Sequence, residues 1–257
     1  MCMEYLIALI IAVGLNLLLF IPAFIFKTDK VTDLSYAISF IVVSLFLFFN
    51  STGVAAHLVL LLMIVLWAVR LGSYLFIRIR KMDRDKRFDG MRESFSRFLR
   101  FWTFQGLTVF AVLLSSIPFF SLSNPKITMW SIVGIGVWLI GLVIESVADM
   151  QKYTFINNPA NKGLWIDSGL WHYSRHPNYF GEILLWIGVY IFALSGISGV
   201  DVLIGLLSPM YIATIILFFS GIPLLEKAAD KRWGDNEKYK VYKKTTSPLF
   251  LLPKKKR

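Results

Sequence analysis

Apolar residues fall along the chain in seven long runs separated by short polar stretches. The runs are Tyr5 to Phe26, Leu34 to Phe49, Val54 to about Ile77, about Phe104 to Phe120, Ile127 to about Ala148, Phe180 to Leu194 and Val200 to Leu225. Several reach the ~20 residues that a helix needs to cross ~30 Å of hydrocarbon. The breaks between them carry turn chemistry. Asn50-Ser51-Thr52-Gly53 ends the second run, Ser121-Leu122-Ser123-Asn124-Pro125 closes the fourth, and Ser195-Gly196-Ile197-Ser198-Gly199 tightly joins the last two. The first run follows Met-Cys-Met-Glu, with no basic region and no clear small-residue cleavage site. It reads as a retained helix, not a signal peptide. The pattern predicts an all-α, polytopic integral membrane protein of about seven transmembrane helices.

Composition agrees. Hydrophobic types make up 56% of the 257 residues and charged types 17%, against about 25% charged in soluble domains. Mean hydropathy is +0.64. A water-soluble globule is excluded. The single cysteine, Cys2, rules out an intrachain disulfide and a multi-cysteine zinc site.

The net charge of +11 bears on topology. With seven spans, one side holds Lys27 and Lys30, nine basic residues within 78–100 (among them Arg84, Lys86 and Arg87), three within 149–179, and eleven from Glu226 onward. The other side holds Lys126 alone, and Arg70 lies inside the third run. The positive-inside rule therefore puts the C-terminus in the cytoplasm and the N-terminus outside. The terminal Lys254-Lys255-Lys256-Arg257 reads as a topology anchor or a contact with anionic lipid. Nucleic acid is not expected as a partner, because no soluble domain presents the charge. Neither a phosphate-binding P-loop, a strand-linked GxGxxG nor a metal-binding HExxH is present, and no metal is expected.

Ionisable groups in or beside a span mark function by default, and three places break the apolar pattern. Glu145 and Asp149 are spaced i,i+4, so both carboxylates share one face of the fifth helix. Repulsion between them favours a cation, a donor-rich ligand or a proton on that face; the alternative is a helix end reaching water. The second place is the polar and aromatic stretch from Gly169 to Glu182. Gly169 suits a turn. His176 precedes a proline and is biased to extended backbone, and Pro177 suits a first helical position. Arg175 then stands beside a helix start, where phosphate is favoured. Asn178 and Glu182 share a face one turn apart. In the third place, the basic tail, Tyr239 and Tyr242 share a helical face behind Glu226 and Asp230. This segment is either a membrane-surface helix or a lid over the same pocket.

Gly-Leu-Trp-x-Tyr-Ser-Arg-His-Pro-Asn-Tyr-x-Gly-Glu at 169–182 resembles the C-terminal signature of the steroid 5-alpha-reductase superfamily, especially its bacterial membrane branch of unknown function. Glu145-x-x-x-Asp149-x-Gln151-Lys152 resembles the preceding helix of that branch. Ser220-Gly221-Ile222-Pro223-x-x-Glu226 and Tyr239-x-x-Tyr242-x-x-x-Thr246-Ser247, through Pro253, resemble its closing segments, and Trp67-x-x-Arg70-Leu71-x-x-Tyr74-x-x-x-Arg78 its third span. The resemblance covers roughly residues 30 to 253.

It implies a single membrane domain in which spans of 1–125 face substrate and 126–257 forms a cleft for a reduced nicotinamide cofactor, usually NADPH. It implies reduction of a carbon–carbon double bond conjugated to a carbonyl, in a lipophilic steroid- or isoprenoid-like substrate in the bacterial inner membrane. The cofactor-binding set carried over is Glu145, Asp149, Tyr173, Arg175, His176, Asn178, Tyr179, Glu182, Glu226, Tyr239 and Tyr242. In that set Arg175 neutralises phosphate, and Asn178, Tyr179 and Glu182 take the nicotinamide–ribose end. The family's carbonyl-polarising tyrosine is replaced here by Trp67, which leaves Tyr74 and Asp33 as candidate catalytic proton donors. Isoprenylcysteine carboxyl methyltransferases, which bind S-adenosylmethionine, share much of the C-terminal pattern and give the alternative reading. A non-catalytic transporter or scaffold is a third.

Overall fold

The structure, a computed structural model, describes residues 2–81 and 88–254. Arg84, Lys86 and Arg87 of the topology count, and Lys255, Lys256 and Arg257 of the terminal cluster, lie outside the described residues. Among the described residues there is no strand. The described residues form ten α-helices in order: α1 Cys2–Ile25, α2 Thr32–Phe49, α3 Ala55–Arg80, α4 Phe95–Val112, α5 Ser116–Phe120, α6 Met129–Asn157, α7 Pro177–Ala193, α8 Val200–Thr214, α9 Ile222–Trp233 and α10 Glu237–Thr245. Among the described residues, six segments are long and apolar enough to cross a bilayer: α1, α2, α3, α4 continued by α5, α6, and α8 continued by α9. The remaining apolar run forms α7, whose 17 residues extend about 25 Å.

Two helices run about nine residues past their apolar runs, for one reason. α4 begins at Phe95 because Phe98 and Trp102 point into the core while Arg97 and Arg100 stay exposed. α6 continues nine residues past Ala148, through a stretch whose polar residues interrupt the hydropathy but not the helical period. Charge on one face of a helix shortens the apolar run without ending the helix.

The chain resolves into two compact units. The first comprises 1–135 with 189–208, the second 136–188 with 209–257. In the first unit Phe20, Ala23, Phe88, Phe98 and Trp102 form an aromatic core cluster. Trp67 is fully buried, edge-on to Phe40 at 5.0 Å. Buried polar side chains cross-link three helices. Gln105 of α4 donates to Asn16 Oδ1 on α1 (2.8 Å) and to Ser35 Oγ on α2 (2.8 Å), and Asn16 donates to Ser39 Oγ (2.9 Å). Such bonds hold helices together where lipid offers no hydrophobic drive.

In the second unit α6 and α7 cross at backbone contact. A Cβ at Gly141 would lie 2.5 Å from Leu185 N, and one at Gly181 would lie 2.6 Å from Glu145 N. The last long segment is interrupted. A π-helical stretch, Ile215–Phe219, leads to Ser220 and Gly221 before Pro223 restarts the chain as α9. This break, a recurrent device at functional sites, sets α9 apart as the carrier of Glu226.

Candidate functional site

The block from Gly169 to His176 is folded by its own residues. Gly169 has φ +60°, and its missing side chain leaves room for the Gln151 amide. Gln151 Oε1 accepts from Leu170 N–H at 2.9 Å. Trp171 is buried and donates its indole N–H to the Ala148 carbonyl (3.0 Å). Tyr242 Oη donates to the Trp171 carbonyl (2.9 Å). Ser174 bridges to Ser247, Arg175 N–H donates to Ser247 O (2.8 Å), and Ser174 Oγ donates to Leu249 O (2.7 Å). The segment after α10 is thereby laid against the block, and α7 starts at Pro177.

Charge converges on one carboxylate. Glu226 Oε1 receives His176 Nε2 at 2.9 Å and pairs with Arg175 Nε at 3.3 Å; Lys243 Nζ lies 3.2 Å from Oε2. Lys243 also holds Asp230 at 2.6 Å, and its carbonyl accepts from Arg175 Nη1 at 2.7 Å. His176 donates to Glu226 through Nε2, while its buried Nδ1 has no hydrogen-bond partner and its ring stacks on Tyr179 at 5.8 Å. Burial pushes the His176 pKa down, against the pull of Glu226 and with the help of Lys152 and Arg175. Burial pushes the Tyr242 and Tyr239 hydroxyls up.

The depressed histidine gives a pH prediction. The unfolded chain takes a proton on this imidazole near pH 6.5 and the folded chain only at lower pH. Its contribution to stability is full above about pH 6.5 and is lost as pH falls through the folded value. The melting temperature should therefore drop between pH 7.5 and 5.5, and His176→Gln should flatten that drop. Equal slopes in the two proteins would remove His176 as its source.

Beside this cluster lies a cavity of about 660 Å³ within the second unit. Of the carried-over residues, Arg175, His176, Glu226, Tyr239 and Tyr242 line it. Tyr239 and Tyr242 are buried on α10 and form part of the cavity's wall. Four cations, Lys152, Lys162, Arg175 and Arg232, face a single lining carboxylate, Glu226. Lys152 Nζ sits over the Trp171 ring at 4.8 Å, and Trp165 meets Tyr239 edge-on at 5.3 Å. Trp233 donates to the Gly163 carbonyl, tying the 157–165 loop to α9.

Sequence reasoning did not single out Lys162, Trp165, Trp233 or Arg232 as site residues. The density of Asn, Lys and Trp in Asn157-Asn158-Pro159-Ala160-Asn161-Lys162-Gly163-Leu164-Trp165 was the available signal.

Other carried-over residues lie elsewhere. Glu145 and Asp149 share the buried face their spacing demands, 2% and 5% exposed, so this is not a helix end reaching water; neither lines the cavity. Tyr173 is exposed, and its carbonyl accepts from Leu252 N–H. Asn178 and Glu182 are half-buried on α7 outside the cavity lining, as is Tyr179, whose ring stacks on that of His176. Tyr74 and Asp33 belong to the first unit, where Asp33 pairs with Arg78 at 3.0 Å.

The helices define a polytopic membrane protein, and its second unit holds a charged cavity of about 660 Å³. A family model described as "Protein of unknown function (DUF1295)" matches residues 19–246, and the chain belongs to that family. The chain is also similar to the "Probable O-methyltransferase ustE" of Ustilaginoidea virens, 37% identical over 59 residues. That match covers 23% of this chain and 19% of the relative's length. No solved structure matches.

Proposed function

We propose that the chain is a membrane oxidoreductase that binds a reduced nicotinamide dinucleotide in the 660 Å³ cavity and reduces a conjugated double bond of a lipophilic substrate. One observation carries this reading: four cations and several aromatic faces ring the cavity, with one carboxylate among them. That lining suits phosphates and an adenine together. S-Adenosylmethionine, with its sulfonium and ammonium, carries net positive charge and is repelled by such a lining.

The roles differ from those the motifs imply. Arg175 is held by Glu226 and the Lys243 carbonyl, so it fastens α10 and contributes its charge from a fixed place. Lys152, Lys162 and Arg232 are the cations for phosphate. The exposed pair Lys162 and Arg232 suits the additional phosphate of NADPH. The indoles of Trp165 and Trp233 offer faces for the adenine. The cofactor supplies hydride; the protein supplies orientation, charge and exclusion of water. By the positive-inside rule the cavity, lined by residues of the basic loops, faces the cytoplasm.

The second reading, methyl transfer from S-adenosylmethionine, is favoured by the methyltransferase-named relative. Thermal melting of the detergent-purified protein separates the two. A ligand at a hundredfold excess over its Kd stabilises by about 2.7 kcal/mol, a shift of several degrees. NADPH should give that shift, and Lys162→Glu with Arg232→Glu should largely abolish it. Stabilisation by S-adenosylmethionine, with none by NADPH or NADH, would overturn the reductase reading.

A further inference from the structure

α9 has two sides. Leu225, Glu226, Ala229, Arg232 and Trp233 line the charged cavity. Leu224, Lys227 and Lys231 follow one another at i, i+3 and i+7, a spacing that gathers them on the opposite side of the helix. All three are exposed, Leu224 at 55%. This outer side takes no part in the site described above.

Three observations name what it meets. The first is its place. α9 ends the last long apolar segment, Val200–Trp233, and follows directly on Phe218 and Phe219, which are 69% and 64% exposed. From Leu224 to Lys231 the helix rises about 10 Å, and the headgroup layer on one side of a bilayer is about 5–8 Å deep. Leu224 therefore stands at the apolar edge of that layer. The two lysines can lay their stems along apolar surface and hold their ammonium groups among the headgroups.

The second is charge that nothing nearby neutralises. Lys243 is held by Glu226 and Asp230, and Lys240 by Glu237. Arg232 lies over the Trp233 ring at 4.7 Å. Lys227 and Lys231 form no ion pair among the described residues. Asp230, the one carboxylate between them in sequence, is committed to Lys243 at 2.6 Å. The outer side thus presents two positive charges and no negative one.

The third is its size. One leucine and two lysine stems fall far short of the ~800 Å² that each partner buries in a stable protein interface, and lysine is depleted from the cores of such interfaces. A lipid headgroup needs no such area.

We propose that the outer side of α9 docks on the headgroups of anionic phospholipids, through Lys227 and Lys231. A zwitterionic headgroup carries an ammonium of its own and gives these lysines no net attraction, whereas an anionic one does. The topology rule counts these charges without saying what they touch; the two-sided helix assigns them a ligand and leaves the cavity side to its own.

The test uses the full chain with Leu224→p-benzoylphenylalanine, reconstituted in bilayers of phosphatidylcholine mixed with phosphatidylglycerol. After irradiation the captured lipids are identified by mass spectrometry. Phosphatidylglycerol should be captured about fivefold or more above its share of the bilayer, which is what one lysine beside an anionic leaflet is worth. Lys227→Gln with Lys231→Gln should bring capture down to that share. Both lysines are exposed and form no ion pair, so the pair should melt like the parent, and lost preference is then not lost folding. The same photoreactive residue at Leu139, 47% exposed on α6, should capture the two lipids by their shares. The proposal is overturned if position 224 shows no preference, if position 139 shows an equal one, or if the glutamine pair leaves the preference unchanged.

Discussion

Glu226→Gln should destabilise the protein by about 3 kcal/mol, the lower end of the cost of breaking a buried ion pair. The carboxylate is 17% exposed and holds three partners, His176, Arg175 and Lys243. Two of these are ordinarily cationic, and Arg175 is itself only 13% exposed. A neutral amide leaves that guanidinium buried without its counter-charge, while Lys243 can still turn to Asp230. The damage should be local first. Arg175 and Lys243 fasten α10, and with it Tyr239 and Tyr242 of the cavity wall. Amide exchange in 237–252 should accelerate before the membrane helices respond, and the NADPH-induced shift should shrink. Asp230→Asn is the control. Asp230 is 48% exposed, and an exposed pair is worth at most about 1 kcal/mol. If Glu226→Gln melts like Asp230→Asn, the carboxylate does not hold α10 in place.

The same cluster shows what a sequence discloses and what it does not. Apolar runs located the membrane helices, because a helix in lipid must be apolar over its length. Their ends were less legible: Arg97 and Arg100 hid the first turns of α4, since one-sided charge lowers hydropathy without breaking a helix. In the signature block, turn and helix-start chemistry gave Gly169 and Pro177 their places. Residue type alone could not say where the polar groups spend their bonds. Arg175 reads as a phosphate ligand, and the structure commits it to Glu226 and the chain after it. Periodicity put Asn178 and Glu182 on one face, but a face does not name its neighbour. Lys162, Trp165, Arg232 and Trp233 meet only because the 157–165 loop and α9 are joined through Trp233 and Gly163, a contact across 70 positions. In the first unit, nothing in the apolar runs singled out Asn16 and Gln105, whose hydrogen-bond partners are set by helix packing.

The close approach of α6 and α7 carries the other large expected effect. Gly181→Ala should destabilise by about 3 kcal/mol or more, at or beyond the usual range for overpacking. The added methyl would lie 2.6 Å from Glu145 N and 2.7 Å from Gly141 O. Both are backbone atoms of a helix and cannot swing aside as a side chain does, so the helices must separate. Small residues at such crossings are what allow membrane helices to gain dispersion contacts. Separation would move the start of α7, and with it Arg175 and His176 relative to Glu226, so on the proposed cofactor reading the NADPH-induced melting shift should shrink together with stability. Gly136→Ala isolates the cause. It lies on α6, with open space where its Cβ would go, and alanine there should be neutral or stabilising by up to about 1 kcal/mol, the helix-propensity difference. Melting temperatures of the two variants in one detergent decide the matter. If Gly181→Ala falls no further than Gly136→Ala, the crossing tolerates a methyl, and the register of α6 on α7 is not fixed by glycine.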